Sequence, residues 1–232
     1  MENPVFRRKI YKEILEWKEE RSEKYALLIK GARRVGKSTI VEEFAKKEFK
    51  SYILIDFAHT SKEITGLFDD MYNLDFFFLQ LQQFTGVRLY EKESVIIFDE
   101  VQLCERALTS LKYFCEDAPD YHIIVAGSLL GVAVNRAKFS FPVGKVDMKT
   151  LYPMDMEEFM IAVGEDELVE QIKKCFETNR PMPSALHDAA MQLYRQYLVV
   201  GGMPECVMQF VQTGDYILIR HTQDTILTSY LN

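Results

Sequence analysis

Apolar residues recur along the chain with two different periods, which predict alternating strands and helices. Short apolar runs bounded by polar residues are typical of buried strands, and four of them occur before residue 130: "KYALLIK", "SYILIDF", "SVIIFDE" and "YHIIVAGS". Other segments place apolar side chains three or four residues apart, as with Ile10, Ile14 and Trp17 in the segment 6–20. Strands that alternate with helices predict an α/β fold, with a parallel sheet covered by helices on both faces.

The segments around these strands complete the prediction for the first 150 residues. Besides 6–20, helical patterns cover residues 37–49, 60–92 and 107–117, and the second of these is rich in aromatic residues. We interpret its centre, "DFFFLQLQQF", as core packing, with a partner surface as the alternative. A fifth, shorter strand is expected within "FPVGKVDMKTLYPM", where Val, Thr and Tyr alternate with polar residues.

The pattern changes after Pro153, because every later segment has the period of a helix. These segments are "MEEFMIAVG", "ELVEQIKKCFE", "ALHDAAMQLYRQYLVV", "ECVMQFVQ" and "DYILIRHTQDTILTSYLN". We therefore divide the chain into a core, residues 1–150, and a smaller helical lid, residues 151–232. The last segment has neither a capping glycine nor a polar tail, which favours a longer protein that continues beyond it.

The composition of the chain disfavours several classes of function. A net charge of -7 disfavours a protein built to coat nucleic acid, although a local basic patch stays open. Cys104, Cys115, Cys175 and Cys206 form no C-x-x-C pair, so we expect free thiols in a reducing compartment. There is no signal-peptide core and no apolar run of membrane-spanning length, so we expect a cytoplasmic protein without membrane association.

A glycine-rich loop follows the first predicted strand. Gly31, Gly36, Lys37 and Ser38 fit the pattern G-x-x-x-x-G-K-[ST] between a strand and a helix. The glycines let the backbone curl so that its N–H groups face phosphate oxygens, and the helix presents its positive end to the same anion. Lys37 is suited to the β- and γ-phosphates, and the Ser38 hydroxyl to Mg²⁺. The other predicted nucleotide-binding residues are Ala32, Arg33, Val35 and Thr39.

Arg34 lies in the same loop as Arg33. Either guanidinium could offset phosphate charge. For Arg34 we favour a solvated side chain or one paired with a nearby acid.

Two acidic residues follow the third apolar strand. Asp99 emerges at the carboxyl end of that strand, where open α/β sheets bind their ligands, and is suited to hold Mg²⁺ directly or through water. Glu100 is then placed to activate a water that attacks the γ-phosphate. The alternative is that these acids only cap the next helix. Ser128, at the exit of the fourth strand, either orients that water and senses the γ-phosphate or caps the loop.

Several segments of the sequence, including those just described, resemble those of a known protein family. The segments "GARRVGKST", "VIIFDEVQ", "VAGSLLG", "FPVGKV…LYPMDMEEFM" and "VVGGMPECV" resemble a family of prokaryotic AAA-type ATP-binding proteins. Members have a P-loop NTPase core, a helical lid and a C-terminal domain of unknown function. The resemblance implies that Lys37 and Ser38 bind nucleotide and Mg²⁺, that Asp99 is the acidic metal-site residue and that Glu100 is the hydrolytic base.

Two positions are left open by the resemblance. Lys145 stands where many relatives carry arginine, so a γ-phosphate contact from this position is in question, and no arginine finger is assigned. The turn made by Gly201, Gly202 and Pro204 is interpreted as a connection between helices, with a lid element near the nucleotide as the alternative.

The expected function is that of a Mg²⁺-dependent ATP hydrolase that couples nucleotide state to movement of the lid or of an unknown protein partner. The alternative is a nucleotide-gated binding module with little turnover. A nucleic-acid motor is disfavoured by the acidic composition, and a small-molecule kinase fits the adjacent acids less well. The oligomeric state stays open.

Overall fold

A computed structural model describes residues 5–128 and 144–231. The segment "LLG" after Ser128 and the start of "FPVGKV" lie outside these ranges. The chain forms two compact units. We call Ile10–Ala32 with Gly36–Leu151 the sheet unit, and Met1–Lys9 with Arg33–Val35 and Tyr152–Asn232 the helical unit.

In its described residues, the sheet unit contains five parallel strands in the order β2-β3-β4-β1-β5. They are β1 Ala26–Gly31, β2 Ser51–Asp56, β3 Ser94–Asp99, β4 His122–Gly127 and β5 Val146–Leu151. Every residue of the inner strands β3 and β4 is buried, as expected where helices cover both faces of a parallel sheet. The predicted parallel sheet, including its fifth strand, is confirmed.

The helices described in this unit are α1 Ile10–Glu20, α2 Lys37–Glu48, α3 Lys62–Gly66, α4 Leu74–Thr85 and α5 Glu105–Asp117, with 3-10 turns at Leu67–Asp69 and Val101–Leu103. The helical pattern over 60–92 is interrupted, because Asn73 caps α4 by accepting a hydrogen bond from Phe76 N at 3.0 Å. Gly86, with φ 70°, ends α4 in the left-handed conformation.

Aromatic side chains fill the core of the sheet unit. Phe68, Phe77, Phe98 and Phe114 form a chain of ring contacts with centroids 5.2 to 5.9 Å apart. Phe77 belongs to the aromatic segment of α4, so the predicted core role of that segment is confirmed for its buried face. Its opposite face, with Phe76 and two further apolar side chains, is exposed.

The helical unit is built from α6 Met156–Ala162, α7 Asp166–Glu177, α8 Ser184–Val200, α9 Pro204–Thr213 and α10 Tyr216–Leu231. Phe159 lies at its centre, with its ring 5.4 Å from Tyr197 and 5.7 Å from Phe210. Over the described ranges, none of the helices combines the length and apolar character needed to cross a membrane.

The turn between α8 and α9 packs closely against the chain just before α6. Met154 N donates to Gly202 O at 2.7 Å. A Cβ atom on Gly202 would lie 2.0 Å from Met154 O, so only glycine fits there. The segment is therefore a helix connection, as interpreted from the sequence, and its backbone is also part of the packing.

Candidate functional site

The carboxyl ends of three adjacent strands bring the predicted site residues of the sheet unit to one edge. Gly31 ends β1, Asp99 ends β3 and Ser128 follows β4, and β1 and β3 both pair with β4. Because parallel neighbours finish at the same edge, this is where an open α/β sheet binds a ligand.

Gly36 sets the direction in which α2 starts. Its φ of 93° is in the left-handed region, which costs a residue with a side chain more than glycine. Helix α2 begins at Lys37, and no acidic residue lies in its first turn. The positive end of α2 is therefore not neutralised by an acid of its own first turn. Thr39 is exposed in that turn.

The ammonium group of Lys37 lies inside the loop. Its Nζ donates to Gly31 O at 3.1 Å and to Ala32 O at 2.8 Å, and the residue is only 5% exposed. A buried ammonium must be hydrogen-bonded, and here the loop's own carbonyl groups supply acceptors. The loop therefore folds around a fixed positive charge.

Ser38 and Asp99 meet at the start of α2 and the end of β3. Burial is the largest influence on Asp99 and raises the pKa of its carboxyl group, and a hydrogen bond from the Ser38 side chain partly opposes that rise. Asp99 is 6% exposed. A hydroxyl and a carboxylate in contact are a fitting pair of oxygen ligands for Mg²⁺. In the described part of the chain, no three His, Cys, Asp or Glu residues converge as a metal-binding group.

Glu100 is held in an unusual backbone conformation. Its φ of 49° is left-handed, which costs a residue with a side chain about 1–2 kcal/mol. Glu100 N donates to Asp99 Oδ1 at 2.9 Å. The Glu100 carboxylate accepts from Gln102 Nε2 and, at 3.4 Å, from the Ser128 hydroxyl. The base candidate and Ser128 are thus brought together.

Gln102 is a neighbour of the site that sequence reasoning missed. Its Oε1 atom is buried without a hydrogen-bond partner in the described part of the chain, while its Nε2 contacts Glu100. A glutamine two residues after an acid has no periodic signal that would mark this contact in advance.

Arg34 is the middle residue of the loop's tip, which we define as Arg33–Val35 and which belongs to the helical unit. Its φ is 62°, again left-handed, and its Nη2 atom lies 2.6 Å from Glu205 Oε2 in α9. The interpretation that Arg34 pairs with an acid is confirmed. Glu205 lies in the "GGMPE" segment, so that segment also supplies a contact to the loop.

The two other tip residues are held through their backbone carbonyl groups. Tyr230 Oη donates to Arg33 O at 2.7 Å, and Arg8 Nη1 donates to Val35 O at 3.1 Å. Val35 is fully buried, whereas the Arg33 side chain is exposed. Neither Arg8 nor Tyr230 was predicted as a site residue, because nothing local in the sequence links them to the loop.

Lys145 lies at the other end of the sheet. It immediately precedes β5, its carbonyl accepts from Ala26 N at the start of β1, and its Nζ is 3.2 Å from Glu116 Oε1. The amino ends of the strands face away from the edge that carries Lys37 and Asp99. Lys145 therefore lies at the opposite end of the sheet from the edge where the γ-phosphate is expected.

Comparison with known families agrees with this arrangement. A family model described as an AAA domain matches residues 23–160. The chain belongs to this AAA-domain family. The matched range includes the glycine-rich loop, the five described strands, and Asp99, Glu100 and Ser128 at the strand ends. A search of the curated proteins finds no match.

Solved structures resemble the AAA-domain chain in fold at low identity. The Walker-type ATPase paby2304 of Pyrococcus abyssi has a TM-score of 0.58 and 20% identity, over 98% of this chain and 75% of that one. The RuvB Holliday junction branch migration motor of Thermotoga maritima has a TM-score of 0.51 and 13% identity, over 89% and 61%. For C. elegans PCH-2 the values are 0.50 and 11%, over 99% and 70%. These likenesses establish a P-loop ATPase fold followed by a helical region.

Proposed function

We propose that this AAA-domain chain binds ATP together with Mg²⁺ and hydrolyses it, and that nucleotide state is coupled to movement of the helical lid or of a protein partner. The observation that carries the proposal is the contact between Ser38 and Asp99, next to the buried ammonium of Lys37. A glycine-rich loop, an ammonium group, a hydroxyl group and a carboxylate are together the groups that bind a triphosphate and its metal ion in P-loop NTPases.

Different residues of the site would bind the phosphates and the magnesium ion. Lys37 supplies a positive charge for the β- and γ-phosphates, and the N–H groups of Gly31, Ala32, Gly36 and the first turn of α2 supply hydrogen bonds. Ser38 and Asp99 would hold the magnesium ion. When bound, that ion neutralises charge that develops on the phosphate oxygens.

Glu100 is the proposed base. Its left-handed backbone turns the side chain independently of Asp99, so one carboxylate serves the metal and the next serves water. Ser128 lies within 3.4 Å of the Glu100 carboxylate and would help to orient it or the water. A positioned carboxylate base contributes about 10²–10⁴-fold in rate.

A second candidate is a nucleotide-gated binding module with little turnover. One observation favours it: Glu100 Oε2 already accepts hydrogen bonds from both Gln102 and Ser128. An oxygen held in this way is less available to take a proton from water. Adenine over guanine selectivity rests on the family resemblance and on the absence of an N-K-x-D motif from the sequence, and a C-terminal domain of unknown function rests on the resemblance.

The experiment is phosphate release at saturating ATP and Mg²⁺. We expect Glu100→Gln to lower kcat by about 10²–10⁴-fold while ATP binding persists, because the amide keeps the shape but cannot take a proton. Glu91→Gln is the matched control, since Glu91 is an exposed acid at the far end of β3. Equal turnover of Glu100→Gln and wild type, above background, would remove Glu100 as the base. Tight ATP binding without turnover in the wild type would instead support the binding module.

A further inference from the structure

We propose that Glu205, Tyr230 and Arg8 are positioning residues for the phosphate loop, through which the helical unit sets the affinity for ATP. This inference rests on the proposed function. Each residue contacts a different one of three consecutive tip residues, and each comes from a different segment of the chain.

The first contact restrains a strained residue. Arg34 has φ 62°, a conformation that non-glycine residues adopt only at an energetic cost. Its guanidinium pairs with Glu205 at 2.6 Å. Glu205 lies in the first turn of α9, directly after Pro204, where the positive end of the helix favours a carboxylate. The N-terminus of α9 therefore stabilises the Glu205 carboxylate, and this carboxylate in turn restrains Arg34 in its left-handed conformation.

The second contact comes from the last helix. Tyr230 Oη donates to Arg33 O at 2.7 Å. This carbonyl belongs to the peptide group that also carries the N–H of Arg34, and therefore its orientation fixes the direction of that N–H group. A hydrogen bond on the outer side of the peptide thus helps to decide whether its N–H is available to an anion.

The third contact comes from the N-terminal segment. Arg8 Nη1 donates to Val35 O at 3.1 Å, and Arg8 Nη2 donates to Tyr152 O at 2.6 Å. Its Nε atom lies 3.2 Å from Glu158, and both side chains are buried. Arg8 is buried, whereas Glu205 and Tyr230 are exposed, so the hydrogen bond to Val35 is the one most shielded from water.

The three contacts have one consequence in common. Peptide groups that face phosphate oxygens do so only while the tip keeps its curled shape, and that shape depends on residues of the helical unit. By linkage, ATP and these contacts must stabilise each other. A rearrangement within the helical unit that separates Glu205 from Arg34 would therefore weaken ATP binding.

The test uses the full chain and measures the Kd for ATP with Mg²⁺ by calorimetry, together with KM and kcat. Glu205→Gln and Tyr230→Phe each remove one contact without deleting the side chain, and both residues are exposed enough for the fold to tolerate the change. We expect each to raise Kd and KM by about two- to fivefold, as for one exposed ion pair or hydrogen bond, with kcat nearly unchanged. Asp224→Asn is the matched control, because its ion pair with Arg220 lies within α10.

A double-mutant cycle separates positioning from general stability. Arg34→Gly adopts a positive φ without strain and has no charge for Glu205 to pair with. In that background we expect Glu205→Gln to leave Kd unchanged, whereas a merely structural effect of Glu205 would persist. Unchanged Kd in both single variants, with a wild type that binds ATP, would overturn the inference and leave the proposed function standing. A wild type that binds no ATP would overturn the proposed function first.

Discussion

The stem and the tip of the phosphate loop are held in different ways. The stem, residues 31–32 and 36–39, lies in the sheet unit, where Lys37 donates to the carbonyl groups of Gly31 and Ala32, only six and five positions away. The tip, residues 33–35, lies in the helical unit and is held by residues 27 to 197 positions away. The chemistry of the stem is thus local, whereas the shape of the tip depends on tertiary structure.

The largest effect on ATP binding is expected from a substitution in the stem. Lys37→Ala removes the buried ammonium, and charge-assisted hydrogen bonds are worth about 1.5–3 kcal/mol each. We therefore expect the Kd for ATP to rise by about 10- to 150-fold, measured by calorimetry. Lys46→Ala, which removes an exposed lysine of the same helix, should leave the Kd unchanged. Comparable losses in both variants would contradict a specific role for Lys37.

A smaller effect is expected from a substitution in the turn that precedes Glu205, the residue that contacts the tip. Gly202→Ala places a methyl group against Met154 O, and forced overpacking costs typically 1–3 kcal/mol. We expect a lower midpoint of urea unfolding and, because Glu205 follows three residues later, weaker ATP binding as well. Gly214→Ala, at a position with φ 63° and open space, separates backbone strain from the steric clash. Equal destabilisation by the two substitutions would argue against the clash.

Asp99, which accepts a hydrogen bond from Ser38 of the stem, allows function to be compared with stability. Burial raises the pKa of this carboxyl group, so the folded state disfavours its charged form, and its contribution to stability is largest at low pH and is lost as pH rises through the raised pKa. Asp99→Asn removes the charge but keeps an acceptor for Glu100 N. We expect a melting temperature higher by a few degrees without nucleotide, since about 1 kcal/mol corresponds to 2–4 °C in a chain of this size, together with loss of Mg²⁺-dependent ATP binding. A lower melting temperature would show that the charge stabilises the fold.

The smallest effect concerns a site away from the loop. Burial lowers the pKa of His122 at the start of β4, and its Nε2 hydrogen bond to Lys92 O and the Glu23 charge oppose that shift only in part. Stability from neutral His122 is present above its unfolded pKa of about 6.5 and is lost as pH falls below that value. One proton sets a maximum slope of about 1.4 kcal/mol per pH unit. His122→Gln should flatten the dependence of unfolding free energy on pH below about 6.5.

The sequence alone predicts the structure of the stem better than the contacts of the tip. Apolar runs and the glycine spacing predicted the strands, the loop and the placing of Asp99 and Ser128 at one edge, because those signals act over a few residues. The contacts of Glu205 and Tyr230 could not be predicted, because helix periodicity states which face is buried but not which distant residue meets an exposed one. The interruption of residues 60–92 depends on two local residues, Asn73 before α4 and Gly86 after it, which the helical pattern alone did not indicate.

The most direct test of the central claim compares ATP with AMP. The loop, Lys37 and the Ser38–Asp99 pair are expected to grip the phosphate tail and its metal ion rather than the base. Calorimetric titration of the wild-type chain in the presence of Mg²⁺ should show one ATP site, and AMP should bind at least about 100-fold more weakly, since it cannot reach the ammonium and the metal with β- and γ-phosphates. Equal affinity for ATP and AMP, or no heat with ATP, would contradict the account.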